Sequence, residues 1–116
     1  MKGSINNANG VIYYSDEVLL NMIGFSTMEC YGVVGMASKN SKDGFWELLK
    51  RENLSKGVRI NSKDNGLYIE LYIIVLYGTK ISTIANNIIQ RIKYNIEKFT
   101  GLKVNSITVN VQGVRV

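Results

Sequence analysis

The clearest pattern of apolar and polar positions lies in the second half of the chain. Apolar side chains occupy every second position from residue 67 to residue 77, which is typical of a strand with one buried face. A helical repeat follows, formed by Ile81, Ile84, Ala85, Ile88, Ile92, Ile96 and Phe99. Alternation then returns at Ile107, Val109 and Val111. A long helix between two strands predicts a right-handed β-α-β crossover with parallel strands.

The first half contains shorter signals. Residues 11–14 predict a strand, and Ser15 is a good N-cap for the helix that follows it. The glycine-bounded residues 31–37 predict a turn into a buried strand. Asp43 can cap a short helix holding Phe45, Trp46, Leu48 and Leu49. The sequence Lys63-Asp64-Asn65-Gly66 predicts a hairpin turn before the long strand.

These elements predict an α/β fold of the two-layer α+β kind, in which helices cover a mixed sheet that ends in the β-α-β crossover. We expect a flexible arm over residues 1–9 and a single domain over residues 10–116. A chain of 116 residues buries enough surface to fold without a metal or a disulfide.

The second face of the long strand carries Tyr68, Glu70, Tyr72, Ile74 and Leu76. This face is too apolar for full solvation and too polar for a dry core. Either the shorter helices cover it, or another subunit does. The candidate self-association face is therefore Tyr68, Tyr72, Ile74 and Leu76, and we expect a homo-oligomer.

Composition excludes several kinds of chemistry. The chain has no histidine and one cysteine, which excludes histidine-dependent triads and zinc sites built from His and Cys. Cys30 is best interpreted as a small buried residue. The acidic residues Asp43, Glu47 and Glu52 are best interpreted as a helix cap and a solvated face. We therefore predict no catalytic residue, metal, cofactor or small-molecule substrate.

Basic residues form the best candidate for an anionic ligand. The net charge is +5, and one segment contains Lys50, Arg51, Lys56, Arg59 and Lys63. This patch is either a solvated rim or a phosphate-binding surface whose affinity would fall with salt. The Gly32-Val33-Val34-Gly35 stretch lacks the basic residue that RNA-binding loops of this spacing carry, so a turn is the favoured interpretation.

The sequence also bears on location. Its first residues are polar and resemble no export signal, and the longest apolar run, residues 71–77, is far below the ~20 residues that span a bilayer. A lone cysteine fits a reducing compartment. We expect a cytoplasmic protein that can associate with the membrane through a partner.

The same patterns resemble a known family, the alkaline shock protein 23 family of Gram-positive bacteria, over about residues 10–116. In the first half the resemblance rests on Gly10-Val11-Ile12, Ser15-Asp16-Glu17-Val18, Glu29-Cys30-Tyr31-Gly32-Val33-Val34-Gly35 and Lys56-Gly57-Val58. In the second half it rests on Val75-Leu76-Tyr77-Gly78, Ile81, Ile84-Ala85, Ile88, Gln90, Ile92, Glu97, Thr100-Gly101-Leu102-Lys103-Val104 and Ile107-Thr108-Val109-Asn110-Val111-Gln112-Gly113-Val114.

The resemblance implies a cytoplasmic, non-enzymatic protein of envelope homeostasis and stress response, which a small membrane-anchoring partner holds at the membrane in some relatives. It implies no catalytic residues. Two classes of function stay open. One is a scaffold that acts by protein–protein interaction or self-assembly, and the other is a nucleic-acid-binding module that uses the basic segment 50–63.

Overall fold

The computed structural model describes residues 3–7, 10–39, 46–48 and 51–115. The first half of the chain contains β1 (Gly3–Asn7), β2 (Gly10–Tyr14), α1 (Asp16–Met28), β3 (Val33–Lys39) and β4 (Trp46–Leu48). The second half contains a 3₁₀ helix (Arg51–Gly57), β5 (Val58–Lys63), β6 (Gly66–Leu76), α2 (Ile81–Thr100) and β7 (Val104–Arg115).

The sheet is organised around β6. One edge of β6 pairs along its length with β7, and these two strands are parallel. The other edge is shared by two antiparallel strands, β5 beside the first half of β6 and β3 beside the second half. β4 extends the sheet beyond β3, while β1 and β2 form a separate hairpin. The predicted β-α-β crossover and the mixed sheet are confirmed.

Local signals explain where the main elements begin and end. Ser15 Oγ accepts a hydrogen bond from Val18 N at 3.2 Å, which caps α1 as expected. Asp64 and Asn65 adopt φ values of 54° and 61°, as the two-residue turn of a tight hairpin requires. Gly101, with φ of 75°, ends α2 in the left-handed cap conformation, and its N–H donates to Glu97 O.

The core lies on one side of the sheet. Every second residue of β6 is buried there, beneath an α2 stripe in which isoleucines recur at every fourth position. α1 adds Leu19 and Ile23, and the 3₁₀ helix adds Leu54. The deepest members of this cluster include Leu67, Ile69, Leu71, Ile73, Val75, Ile84, Ile88, Ile92 and Ile96. Each large apolar side chain contributes about 1.5–3 kcal/mol when fully buried, so this layer dominates the stability of the fold.

The structure corrects one expectation of the first half. Trp46–Leu48 form a strand instead of part of a short helix, because Leu48 is placed in register with Ala37 of β3. Asp43, Phe45 and Leu49 lie outside the described residues. Within the expected arm, Gly3–Asn7 form β1 and pair antiparallel with β2, while the flexibility of the arm and the single domain over residues 10–116 stay predictions.

Candidate interaction surface

The side of β6 that faces away from the core carries no helix in the described part of the chain. Both α helices and the 3₁₀ helix contribute to the core cluster on the opposite side. The alternative that the shorter helices cover this face is therefore wrong for these residues. We call the uncovered side the open face, and its β6 residues are Tyr68, Glu70, Tyr72, Ile74 and Leu76.

Two basic residues of β5 share this face with the tyrosines. The hairpin register places Arg59 opposite Glu70 and Asn61 opposite Tyr68. The guanidinium carbon of Arg59 lies 5.7 Å from the centre of the Tyr72 ring, and Lys63 Nζ lies 5.0 Å from that of Tyr68. At an exposed site each such cation–π contact stabilises by about 0.5–1 kcal/mol. The basic patch and the aromatic face are therefore partly one surface.

Hydrogen bonds hold the tyrosine hydroxyl groups in place. Tyr72 Oη donates to Glu70 Oε2 at 2.9 Å, and Tyr68 Oη donates to Asp64 Oδ2 at 3.3 Å. The bond to Glu70 raises the pKa of Tyr72, because losing the proton would put two negative charges side by side. The Tyr72 side chain therefore stays neutral at physiological pH. Glu70, which lies opposite Arg59, offsets part of the positive charge of that residue.

The apolar end of the open face is smaller than the sequence suggested. Ile74 is only 5% exposed, so it offers little surface to a partner. Its neighbours in the sheet are Gly35 on β3 and Gly113 on β7. Leu76, which is 40% exposed, is the accessible aliphatic residue of the predicted self-association face.

Lys56 of the basic segment does not join this surface. Lys56 is exposed on the 3₁₀ helix, which packs against α1 on the core side of the sheet. The structure describes only the backbone of Arg51, and Lys50 lies outside the described residues. Instead, Ser106 and Thr108 of β7 join Arg59, Lys63 and Tyr68 in lining a shallow groove. The hairpin turn signal could have placed Arg59 here, because a two-residue loop sets the register of β5 on β6.

Comparison with known protein families shows which family the chain belongs to. The family model of the alkaline shock protein 23 family, described as having a cell envelope-related function, matches residues 4–116. The chain belongs to this family. The resemblance stated from the sequence is confirmed, and the chain is a member of a family with an envelope-related function.

Relatives occur in Gram-positive bacteria. The uncharacterized protein YloU of Bacillus subtilis is 47% identical over 108 residues, covering 92% of this chain and 90% of the relative. The uncharacterized protein Spy1614 of Streptococcus pyogenes is 43% identical over 117 residues, covering 100% of this chain and 97% of the relative. The uncharacterized protein YqhY of Bacillus subtilis is 27% identical over 106 residues, covering 91% and 78% respectively. No solved structure matches the chain significantly.

The described part of this family member offers neither a membrane-spanning helix nor a metal-binding cluster. None of its described helices combines the length and apolar character that crossing a bilayer requires. The described residues contain no group of three or more Cys, Asp or Glu side chains that could hold a metal ion. Asp43 lies outside the described residues, and the side chains of Glu47 and Glu52 are not described.

The cysteine of this family member lies where α1 ends beside α2. Cys30 is 6% exposed, and its thiol donates to Ser26 O at 3.6 Å. Burial raises the pKa of Cys30, while the positive charge of Arg91 opposes this effect. Arg91 also approaches Glu29, with 3.7 Å between Nη1 and Oε2. A buried thiol with a raised pKa has the properties of a structural cysteine.

We expect the thiol of Cys30 to react slowly in the folded protein. Its alkylation at pH 7 should be at least about tenfold slower than in the same protein unfolded in guanidinium chloride, because reaction needs an accessible thiolate. The rate should rise with pH, since the raised pKa keeps the thiolate scarce at neutral pH. Mass spectrometry over time measures both rates. A Cys30→Ala, Ser82→Cys variant supplies an exposed thiol as the control. Equal rates in the folded wild type and the folded control variant would contradict the structural interpretation.

Proposed function

We propose that this chain is a non-catalytic interaction module of envelope homeostasis, which acts from the cytoplasm by binding a protein partner through its open face. One observation carries the proposal: an uncovered sheet face on which tyrosine rings and cations lie together. Tyrosine and arginine are enriched in protein interfaces, because they offer large contact areas and directional polar groups. The family's envelope-related description supplies the cellular context.

The charges of the open face indicate the chemistry of the partner. Arg59 and Lys63 lie at one end, and Arg115 lies beside Leu76 at the other. Glu70 is the acid between them, and it already accepts the hydrogen bond from Tyr72. A partner with acidic groups around an apolar centre complements this surface.

Face-to-face association of two copies stays a prediction. A second copy on the open face would bring its own Arg59 and Lys63 to a surface that is already cationic, and such repulsion disfavours binding. Self-association through Tyr68, Tyr72, Ile74 and Leu76 would therefore need salt or an offset arrangement. Light scattering at low and high salt measures this self-association directly as the molar mass in solution.

In-cell photo-crosslinking tests the partner proposal. A photo-reactive amino acid in place of Leu76 should capture a protein, which is then purified and titrated against the unmodified chain. Arg59→Glu should weaken that binding at least about tenfold, because it reverses a charge in the contact. Lys93→Glu changes the net charge equally on the exposed side of α2 and should have little effect.

Other outcomes of the same experiment would change the proposal. Equal loss of affinity for Arg59→Glu and Lys93→Glu would show that net charge matters and the open face does not. Capture of nucleic acid, with binding that collapses as salt rises, would replace the protein partner with the nucleic-acid alternative. A captured protein with its own membrane segment would identify the membrane-anchoring partner that the family resemblance implies.

A further inference from the structure

The strand β7 forms an edge of the sheet. It spans Val104–Arg115 and pairs with β6 along one side. No other described strand pairs with its second side. At about 3.3 Å per residue, twelve residues present an edge roughly 40 Å long. An edge of this length is a template for a further strand.

The register shows which backbone groups point outward. Leu67 N donates to Lys103 O, and Tyr77 N donates to Arg115 O. The odd-numbered residues of β6 therefore direct their backbone groups at β7, and Ile69 is in register with Ile107. In a parallel ladder, alternate residues of a strand bond to opposite sides. The N–H and C=O groups of Ile107, Val109 and Val111 consequently point away from β6.

This outward segment is symmetric about Val109. The register of β7 on β6 shifts once at Asn105 and once at Gln112, so one extra residue flanks the regular stretch on each side. Val109 is the middle one of the three outward residues and lies close to the middle of the whole strand. On reversal of the strand about Val109, Ile107 and Val111 exchange places. The edge is thus complementary to itself in an antiparallel arrangement.

Natural edge strands usually carry charges or proline that prevent pairing. β7 has neither between residues 104 and 114. Ile107, Val109 and Val111 are only half-buried, and Val114 is 51% exposed. At the start of the strand Val104 N is already bonded to Glu97 Oε2, so the unprotected part lies beyond it.

The helix above this edge is also apolar. Glu97 belongs to a row of α2 residues spaced by four, and its bond to Val104 shows that this row lies on the β7 side. The row includes Ile81, Ala85 and Ile89 before it reaches Lys93. Ile81 is 46% exposed, and Ala85 and Ile89 are half-buried. Strand and helix together present apolar side chains at one rim of the molecule.

We propose that a second copy of the chain pairs antiparallel with β7, about a twofold axis at Val109. Val109 would exchange two hydrogen bonds with Val109 of the second copy, and each Ile107 would do the same with Val111 opposite. The two sheets would join, and both α2 helices would lie on the same side. This pairing goes beyond the proposed function, because it uses a different surface and leaves the open face accessible.

Amide hydrogen exchange tests the proposed register directly. Exchange at Ile107, Val109 and Val111 should slow as protein concentration rises, because only pairing protects these N–H groups. Exchange at Thr108 and Asn110 should be slow at every concentration, because their N–H groups bond to β6. Fast exchange at the three outward positions in a concentrated sample would overturn the proposal.

Two substitutions test the same edge by sedimentation. Val109→Pro removes an N–H that β6 does not use, and Val109→Lys places two like charges opposite each other. Each should raise the dissociation constant of the dimer at least about tenfold, while circular dichroism shows a folded chain. Ser82→Lys, on an exposed position of α2, should leave the dimer unchanged.

The controls separate this inference from the proposed function. If Leu76→Asp dissociates the dimer and both Val109 variants do not, the copies associate through the open face and the edge proposal is wrong. A wild-type chain that stays monomeric at high concentration would also overturn it. The Arg59→Glu titration tests the partner proposal separately.

Discussion

Replacing Leu71 by alanine should lower the free energy of unfolding by about 2–5 kcal/mol, the usual cost of truncating a buried leucine. Leu71 has no exposed surface and lies near the middle of β6. Its neighbours in the sheet are Val58 on β5 and Val109 on β7, both part of or packed against the core. The surrounding strands are held in register on both sides, so they can close only part of the cavity that the substitution leaves.

Leu76→Ala is the matched control on the same strand. Leu76 is 40% exposed and lies on the open face, so its truncation should cost less than about 1 kcal/mol. Urea unfolding followed by circular dichroism measures both variants, with protein concentration held constant because association shifts apparent stability. Equal losses at the two positions would mean that the core does not lie where the burial of Leu71 indicates.

The parts of the fold that sequence patterns predict are those set by local periodicity. The alternation in β6 and the four-residue repeat of α2 depend only on which side of an element meets the core. Gly101 adds an independent signal, since a left-handed cap favours glycine. These local preferences agree with one another and with the final packing, so the crossover could be predicted.

The short strand Trp46–Leu48 could not be predicted in this way. Three residues are too few to show a period, and a capping aspartate with nearby apolar residues favours a helix when considered alone. The strand exists because Leu48 and Trp46 are aligned with Ala37 and Lys39 of β3. Such non-local pairing overrides local propensity and leaves no signature within the segment itself.

Only part of the candidate surface could be predicted from the sequence, because the rest also depends on non-local packing. Alternation in β6 alone separates Tyr68 and Tyr72 from the core. Whether a side chain on that face is accessible depends on its surroundings in the folded sheet, and Ile74 proves to be buried. The position of Arg59 beside the tyrosines depends on the register of β5 on β6, which the two-residue hairpin turn determines.

The open face and the β7 edge are oriented at right angles, and this arrangement has a consequence for assembly. Strand pairing continues a sheet within its own plane, so two copies joined at β7 would present their open faces on the same side. The cations of both copies would then lie on one wider surface. An acidic partner with two binding segments would gain avidity from this arrangement without any new type of contact.

Replacing Gly32 by alanine should destabilise the fold by about 2–4 kcal/mol, from backbone strain and overpacking together. Gly32 has φ of +88°, a conformation that side chains other than glycine rarely adopt. A Cβ at this position would lie 2.6 Å from Ile84 Cδ1, and Ile84 is buried on the core side of α2. Gly32 O also accepts a hydrogen bond from Leu76 N, so the turn cannot move without loosening the end of β6.

Gly78→Ala separates the two causes. Gly78 has φ of +87°, but a Cβ there would meet no atom within 4 Å. Its substitution should therefore cost only the backbone strain, about 1–2 kcal/mol. In a double-mutant cycle, Ile84→Val removes the closest atom and should recover part of the loss at Gly32 but none of the loss at Gly78. Equal losses for the two glycine variants, with no rescue by Ile84→Val, would show that the close approach of Gly32 to α2 contributes nothing to stability.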